Sequence, residues 1–149
     1  MDFEELGRRA VACKGWRWMP GMLTTAGRQV VSKPFDKLLL NNTLAPAVWV
    51  ADPDRQMRLA LVEGLLPDLT DPATALLLLA LVREAWPIDP ERFGRPSTWG
   101  KPMVQRKWLD GRPVEWRVVD DGGGAVLGRG ATEAEALVLA LEGRNWGWW

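Results

Sequence analysis

Residues 103–142 read MVQRKWL, DG, RPVEWRVV, DDGGG, AVL, GRGA, TEAEALVLALE, and this stretch sets the fold class. Met103 to Leu109 and Val114 to Val119 are rich in the β-branched and aromatic side chains that suit a pleated, half-buried surface. Asp110-Gly111 between them is a two-residue loop of the kind that closes a hairpin. Gly122-Gly123-Gly124 marks a second turn, followed by a short strand at Ala125 to Leu127. Thr132 and Glu135 then have capping-box spacing, and Ala134, Leu137, Val138 and Leu141 fall on one helical face, which predicts a helix from Thr132 to about Glu142. The ending is β-β-β-α.

The hairpin also implies a register. A two-residue loop sets Leu109 opposite Arg112, Lys107 opposite Val114 and Gln105 opposite Trp116, on the side shared with Val118. That side is expected to be core, Trp116 included. The other side carries Val104, Arg106 and Trp108 opposite Arg117, Glu115 and Pro113, and two arginines with an acid are rarely fully buried. Trp108 is therefore expected to be partly exposed. Two uses fit it. Either Arg106 pairs with Glu115 and Trp108 stacks on Pro113 as ordinary solvated surface, or Arg106 and Trp108 offer a flat indole beside a forked cation. The second arrangement suits a nucleobase with phosphate or a protein hot spot.

Outward from this unit, Asp71 is a good N-cap with Pro72 at the first helical position, and Ala75 to Val82 is apolar all round. This predicts a helix from Asp71 to Trp86, buried on most sides and closed by Pro87, with Leu65, Leu66 and Leu69 packing beside it. Ile88 to Gly100 reads as a surface connection. Towards the N-terminus, Asp2 to about Ala12 is a short amphipathic helix with Phe3, Leu6 and Ala10 on one side and acids in its first turn. Arg28 to Val31 and Ala47 to Val50 read as short strands. The expected architecture is a single α+β domain over 1–149, an antiparallel sheet packed with a buried central helix and a C-terminal helix.

Composition bounds the chemistry. Ten tryptophans stand in 149 residues beside no histidine, no tyrosine and one cysteine. Without histidine there is no imidazole to activate a Ser or Cys nucleophile or to ligate a metal, and a lone cysteine builds neither a thiolate zinc site nor an internal disulfide. An Asp/Glu magnesium or hydrolase site is the catalytic option left, but pairs such as Asp52-Pro53-Asp54 and Asp120-Asp121-Gly122 lie beside turns, where capping is the usual role. No phosphate-binding glycine loop is present. A binding protein without enzymatic activity or cofactor is expected. Nineteen basic and nineteen acidic residues leave zero net charge, which argues against a general grip on duplex nucleic acid. The N-terminus lacks a signal pattern and Ala75 to Val82 is too short to cross a bilayer, so a cytoplasmic protein is expected, with Cys13 a reduced core thiol.

A second aromatic cluster is Lys14, Trp16, Arg17, Trp18 and Met19, where an extended chain sends Trp16 and Trp18 to one side and Arg17 to the other, so that the tryptophans either cap the central helix or present a binding surface. Trp146, Trp148 and Trp149 beyond the last helix need cover from the body of the chain or from a second subunit, which makes a homo-oligomer a possible state. Trp18-Met-Pro-Gly-Met22, Leu66 to Thr74, Leu79 to Trp86 and Ala131 to Leu137 resemble small uncharacterised phage and prophage proteins related to the phage α-β-α sandwich domain. That resemblance implies a phage accessory protein. Phe3-Glu-x-Leu6, Val11-Ala-x-Lys-Gly-Trp16 and Gly21-Met22 are similar to the opening of the second Thoeris anti-defence family, phage proteins that sequester nucleotide-derived immune signals. The resemblance places Lys14, Trp16 and Met22 on matching positions, while Arg17-Trp18-Met19-Pro20 departs from it. The β-β-β-α ending is also similar to double-stranded RNA-binding domains, but Glu133 and Glu135 stand where those domains need lysines to meet phosphates. Two functions remain: a counter-defence protein sequestering a nucleotide-derived small molecule, or an inhibitor that binds a host protein. The candidate ligand-binding residues are Lys14, Trp16, Arg17, Trp18, Met22, Arg106, Trp108 and Arg117.

Overall fold

The computed structural model describes residues 2–40, 43–86, 102–120 and 125–145. Its elements are α1 (Phe3–Val11), β1 (Gln29–Val30), β2 (Phe35–Leu40), β3 (Thr43–Ala51), β4 (Met57–Leu61), α2 (Pro72–Ala85), β5 (Pro102–Leu109), β6 (Arg112–Asp120), β7 (Val126–Gly130) and α3 (Glu133–Asn145). The class is α+β, and the last helix follows strands as expected, but the strands form two antiparallel sheets where one was expected. The chain gathers into two compact units, Met1–Val11 with Arg17–Leu77 and Ala12–Trp16 with Leu78–Trp149. Pro87, the 88–100 connection, the Gly122–Gly124 turn and Trp146, Trp148 and Trp149 lie outside the described residues. Among the described residues no helix is long and apolar enough to cross a membrane.

In the first unit β3 is the central strand. β4 pairs along one edge, and β1 and β2 follow one another along the other. Val48 and Val50 point to the core face with Val30 of β1, while Trp49 between them points to the opposite face. Leu6 and Ala10 of α1 are buried as their spacing predicts. Asp52 leaves β3 into the turn to β4, where its two carboxylate oxygens accept from Arg28 Nε at 2.7 Å and Arg58 Nε at 2.6 Å. Arg28 beside Asp52 holds the carboxyl below its ordinary value, against the opposing effect of burial, and Arg58 adds to the lowering.

The start of α2 is capped as its sequence predicts. Thr74 N–H donates to Asp71 Oδ2 at 2.9 Å, and the Thr74 hydroxyl donates to the same oxygen at 2.8 Å. Thr74 is fully buried, and its Oγ also accepts Leu23 N–H at 2.9 Å. One side chain thus ties the helix start to a chain segment far away in sequence. Of the helix expected to be buried on most sides, Leu78, Leu81 and Val82 are fully buried and Leu76 is exposed.

The second unit orders its sheet β5-β6-β7. Glu135 N–H donates to Thr132 Oγ1 at 3.1 Å, and Glu135 reaches back to Ala131 N–H at 3.2 Å, closing the cap of α3 one residue earlier than the standard box. Leu137, Val138 and Leu141 are fully buried, each contributing about 1.5–3 kcal/mol relative to exposure. Two glycines let the helix sit directly on β7. A Cβ at Gly128 would meet Ala140 N at 2.7 Å and Ala136 O closer still, and one at Gly130 would meet Ala136 N at 2.9 Å. Trp86 at the end of α2 donates its indole N–H to Ala140 O at 3.1 Å, and Arg83 Nε donates to Pro102 O at 2.8 Å.

Candidate functional site

The β5–β6 hairpin turns at Asp110 and Gly111, whose φ angles of 51° and 73° are the pair of positive values a type I′ turn needs. Leu109 then faces Arg112 and Trp108 faces Pro113 as expected. The next step departs from the expected register. Lys107 faces Glu115, Arg106 faces Trp116 and Gln105 faces Arg117, leaving Val114 as an extra residue in β6. This β-bulge moves every later β6 side chain to the opposite face relative to β5. Arg106 is thus not the partner of Glu115, Trp116 is half-buried rather than core, and Arg117 lies on the face away from Arg106 and Trp108.

The shift brings one arginine within cation–π range of two indoles. Arg106 Cζ lies 5.6 Å from the centroid of Trp108 and 5.2 Å from that of Trp116. Each contact is worth about 0.5–1 kcal/mol at an exposed site. A guanidinium held by cation–π contacts still has N–H donors to offer a carboxylate or phosphate. The register sets Trp116 beside Gly130, one of the two glycines on which α3 rests. The inner end of this stack is thus held by the packed body of the unit.

The outer end is not. β7 pairs with β6 only as far as Trp116, so residues 108–114 form a two-stranded arm beyond the third strand. Pro113 is compatible with that position because it supplies no amide, and no neighbouring strand there requires one. Trp108, Leu109 and Val114 are exposed to 58%, 59% and 48%. The opposite face of the hairpin is charged. Arg117 Nε donates to Glu115 at 2.6 Å, with Lys107 across from Glu115 and Arg129 across from Arg117. The hydrogen bond from Arg117 holds Glu115 below its ordinary value against a burial effect that raises it, and the charges of Arg117, Arg129 and Lys107 add to the lowering.

The other candidate residues fall in both units. Trp18 and Met22 are 3% and 0% exposed in the first unit, so neither has surface to offer a ligand. The turn holding them is fixed to β1, Val30 N–H donating to Met22 O and Gly21 N–H to Val30 O, both at 2.8 Å. Arg17 in the same unit is exposed. Lys14 is exposed and Trp16 half-buried in the second unit, in a turn whose Gly15 lies close to Leu141 and Ala85. Of the eight candidates, Arg106 and Trp108 meet directly at the surface of the hairpin. Sequence reasoning missed Trp116 as their third member and Leu109 and Val114 as exposed neighbours; the available signal was Pro113, a residue typical of bulges and open edges.

Among the described residues no three acidic or cysteine side chains gather where they could hold a metal ion. No family model matches the chain, and no curated protein or solved structure is significantly similar to it.

Proposed function

We propose that this chain is a non-catalytic binding protein that engages another protein through the β5–β6 arm. The observation that carries the reading is the Trp108–Arg106–Trp116 stack at the base of an arm whose tip exposes Trp108, Leu109 and Val114. Tryptophan and arginine dominate binding hot spots, and a guanidinium pre-ordered by two indoles loses little freedom on binding. The complementary partner carries an acidic group for the outer edge of Arg106 beside an apolar groove for the tip. In the phage setting that the sequence resemblance implies, this partner is a host enzyme or defence protein and the complex inhibits it.

The test is retention of a stoichiometric partner from host-cell extract on the immobilised protein. Trp108→Ala and Arg106→Ala are each expected to cost ~2 kcal/mol or more, about thirtyfold in Kd, while Arg17→Ala leaves binding unchanged. Retention indifferent to both arm substitutions would refute the reading.

The same stack supports a second function, sequestration of a nucleotide-derived small molecule. A base stacks on the open face of Trp108 while a phosphate meets the N–H edge of Arg106. Calorimetry and indole fluorescence with cyclic nucleotides and ADP-ribose derivatives separate the two. A tight ligand recovered chemically unchanged selects sequestration, and flat titrations remove it.

A further inference from the structure

α3 covers one face of the β5-β6-β7 sheet, and the reverse of that face carries a cluster of cations. Gly128 and Gly130, on which the helix rests, alternate with Arg129, so Arg129 points away from it. Directly opposite residues of paired strands share a face. The register sets Gln105 beside Arg117 and Arg117 beside Arg129, which makes one row across three strands. Lys107 and Glu115 form the adjoining row on the same face. Gln105, Lys107 and Arg129 are exposed, while Glu115 and Arg117 are half-buried. Glu115 is the single acid of the five, and its carboxylate accepts from Arg117 Nε at 2.6 Å. The charges of Arg117, Arg129 and Lys107 all bear on it. Three cations against one carboxylate leave a surplus of two positive charges here, in a chain whose net charge is zero.

We infer that this face, through Lys107, Arg117 and Arg129, binds a phosphorylated side chain of a partner protein. A phosphate monoester carries a charge of about −1.5 to −2 at neutral pH and three strong acceptor oxygens, which matches the surplus and the number of cations. Glu115 holds the Arg117 guanidinium by Nε, leaving the terminal nitrogens to meet a second acceptor. Lys107 and Arg129 approach from the strands on either side, ~5 Å away in the plane of the sheet. None of the five residues is aromatic, so a nucleobase finds no ring to stack on and the phosphate is recognised by itself. That selects a phosphorylated side chain over a nucleotide. The cluster lies on the reverse of the hairpin from Arg106 and Trp108, so it can be tested with the arm unoccupied.

The experiment is a nuclear magnetic resonance titration of the full chain at low salt with the capped peptide N-acetyl-glycyl-phosphoseryl-glycinamide, its unphosphorylated form and adenosine 5′-monophosphate. Saturable amide shifts at 105, 107, 115, 117 and 129 are expected with the phosphopeptide and none with the unphosphorylated one. Lys107→Gln and Arg129→Gln should each weaken binding about tenfold, the loss of one charge-assisted contact. Both residues are exposed, so circular dichroism should be unchanged. Arg112→Gln, an exposed arginine outside the cluster, should bind as the parent does. Flat titrations, or equal shifts with both peptides, overturn the inference. So does a nucleotide bound about tenfold more tightly than the phosphopeptide, which would mean that a base is being read. Binding lost in Arg106→Ala yet kept in Arg129→Gln would put the phosphate on the arm and overturn it too. The probe has no apolar side chain for the arm tip, so failure here and failure of the arm to bind its partner are read separately.

Discussion

Gly128→Ala tests the seating of α3 on β7, on which the inner end of the Arg106 stack depends. The added Cβ would lie 2.7 Å from Ala140 N, where ordinary contact begins at 3.4 Å, and nearer still to Ala136 O. Both neighbours are backbone atoms within α3, so no side-chain rotation relieves the overlap and the helix must lift or tilt. Overpacking of this kind costs about 1–3 kcal/mol, and the upper end applies where backbone must move. Alanine also restricts the unfolded chain more than glycine and so returns about 0.4–1 kcal/mol. The expected net loss is about 2 kcal/mol. Urea unfolding followed by far-ultraviolet circular dichroism should show the transition moving down by roughly 1 M, given typical slopes of about 1–3 kcal/mol/M. Gly143→Ala supplies the opposite sign in the same helix. Its Cβ would find nothing nearer than Leu127 O and Trp86 Cζ2 at 3.9 Å, and better helix propensity should stabilise the chain by up to about 1 kcal/mol. A Gly128→Ala protein as stable as the parent, or two alanine substitutions acting in the same direction, would refute the close approach of helix and strand.

Thr74→Val keeps the shape of a fully buried side chain while removing the acceptor of Leu23 N–H and the second donor to Asp71; a loss of about 1–3 kcal/mol is expected by urea denaturation, and a neutral result would mean water replaces the hydroxyl. Acid sensitivity follows from Asp52 and Glu115, both held below their ordinary values of 3.8 and 4.5 by arginine hydrogen bonds. A depressed carboxyl stabilises the fold fully above its unfolded value, and that stabilisation is lost as pH falls through the lower folded value. Stability measured from about pH 7 downward should therefore stay flat to about pH 5 and then drop, and Asp52→Asn should lower the plateau while making the drop shallower. An unchanged pH profile in Asp52→Asn would show that the two arginines do not depend on the carboxylate.

The helices were legible because their signals are local and redundant. Asp71 with Pro72, and Thr132 with Glu135, name the starts of α2 and α3 by capping chemistry alone, and the apolar spacing within each does the rest. The same holds for the Asp110-Gly111 turn, where the residue types match the positive φ that the turn requires. β2 and β4 were not legible. Asp36-Lys37 interrupts the apolar pattern of β2, and β4, whose sequence is Met-Arg-Leu-Ala-Leu, offers only a short alternation with no turn dipeptide of the strong hairpin type before it. Both are recognised only through pairing with β3, a non-local fact. The missing strands also explain why one sheet was expected and two are found. Trp18 and Met22 illustrate a different limit: the local sequence leaves them open between packing in the core and offering ligand surface, and the structure buries both, with Met22 bonded through its backbone to β1.

The hairpin faces show how much function rests on a single residue of register. With Val114 counted as an ordinary ladder position, Glu115 meets Arg106 and neutralises it, Trp116 joins the core, and the face is an ion pair with one stray indole. With Val114 bulged, Glu115 passes to the other face to pair with Arg117, and Arg106 is left with two indoles and no carboxylate across the ladder. Composition is identical in the two cases, and so are the turn and every strand propensity. The bulge therefore converts a self-satisfied surface into one that keeps a cation's hydrogen-bonding edge open, and it sits where Pro113 and the early end of β7 allow the strand to bend without stranding an amide.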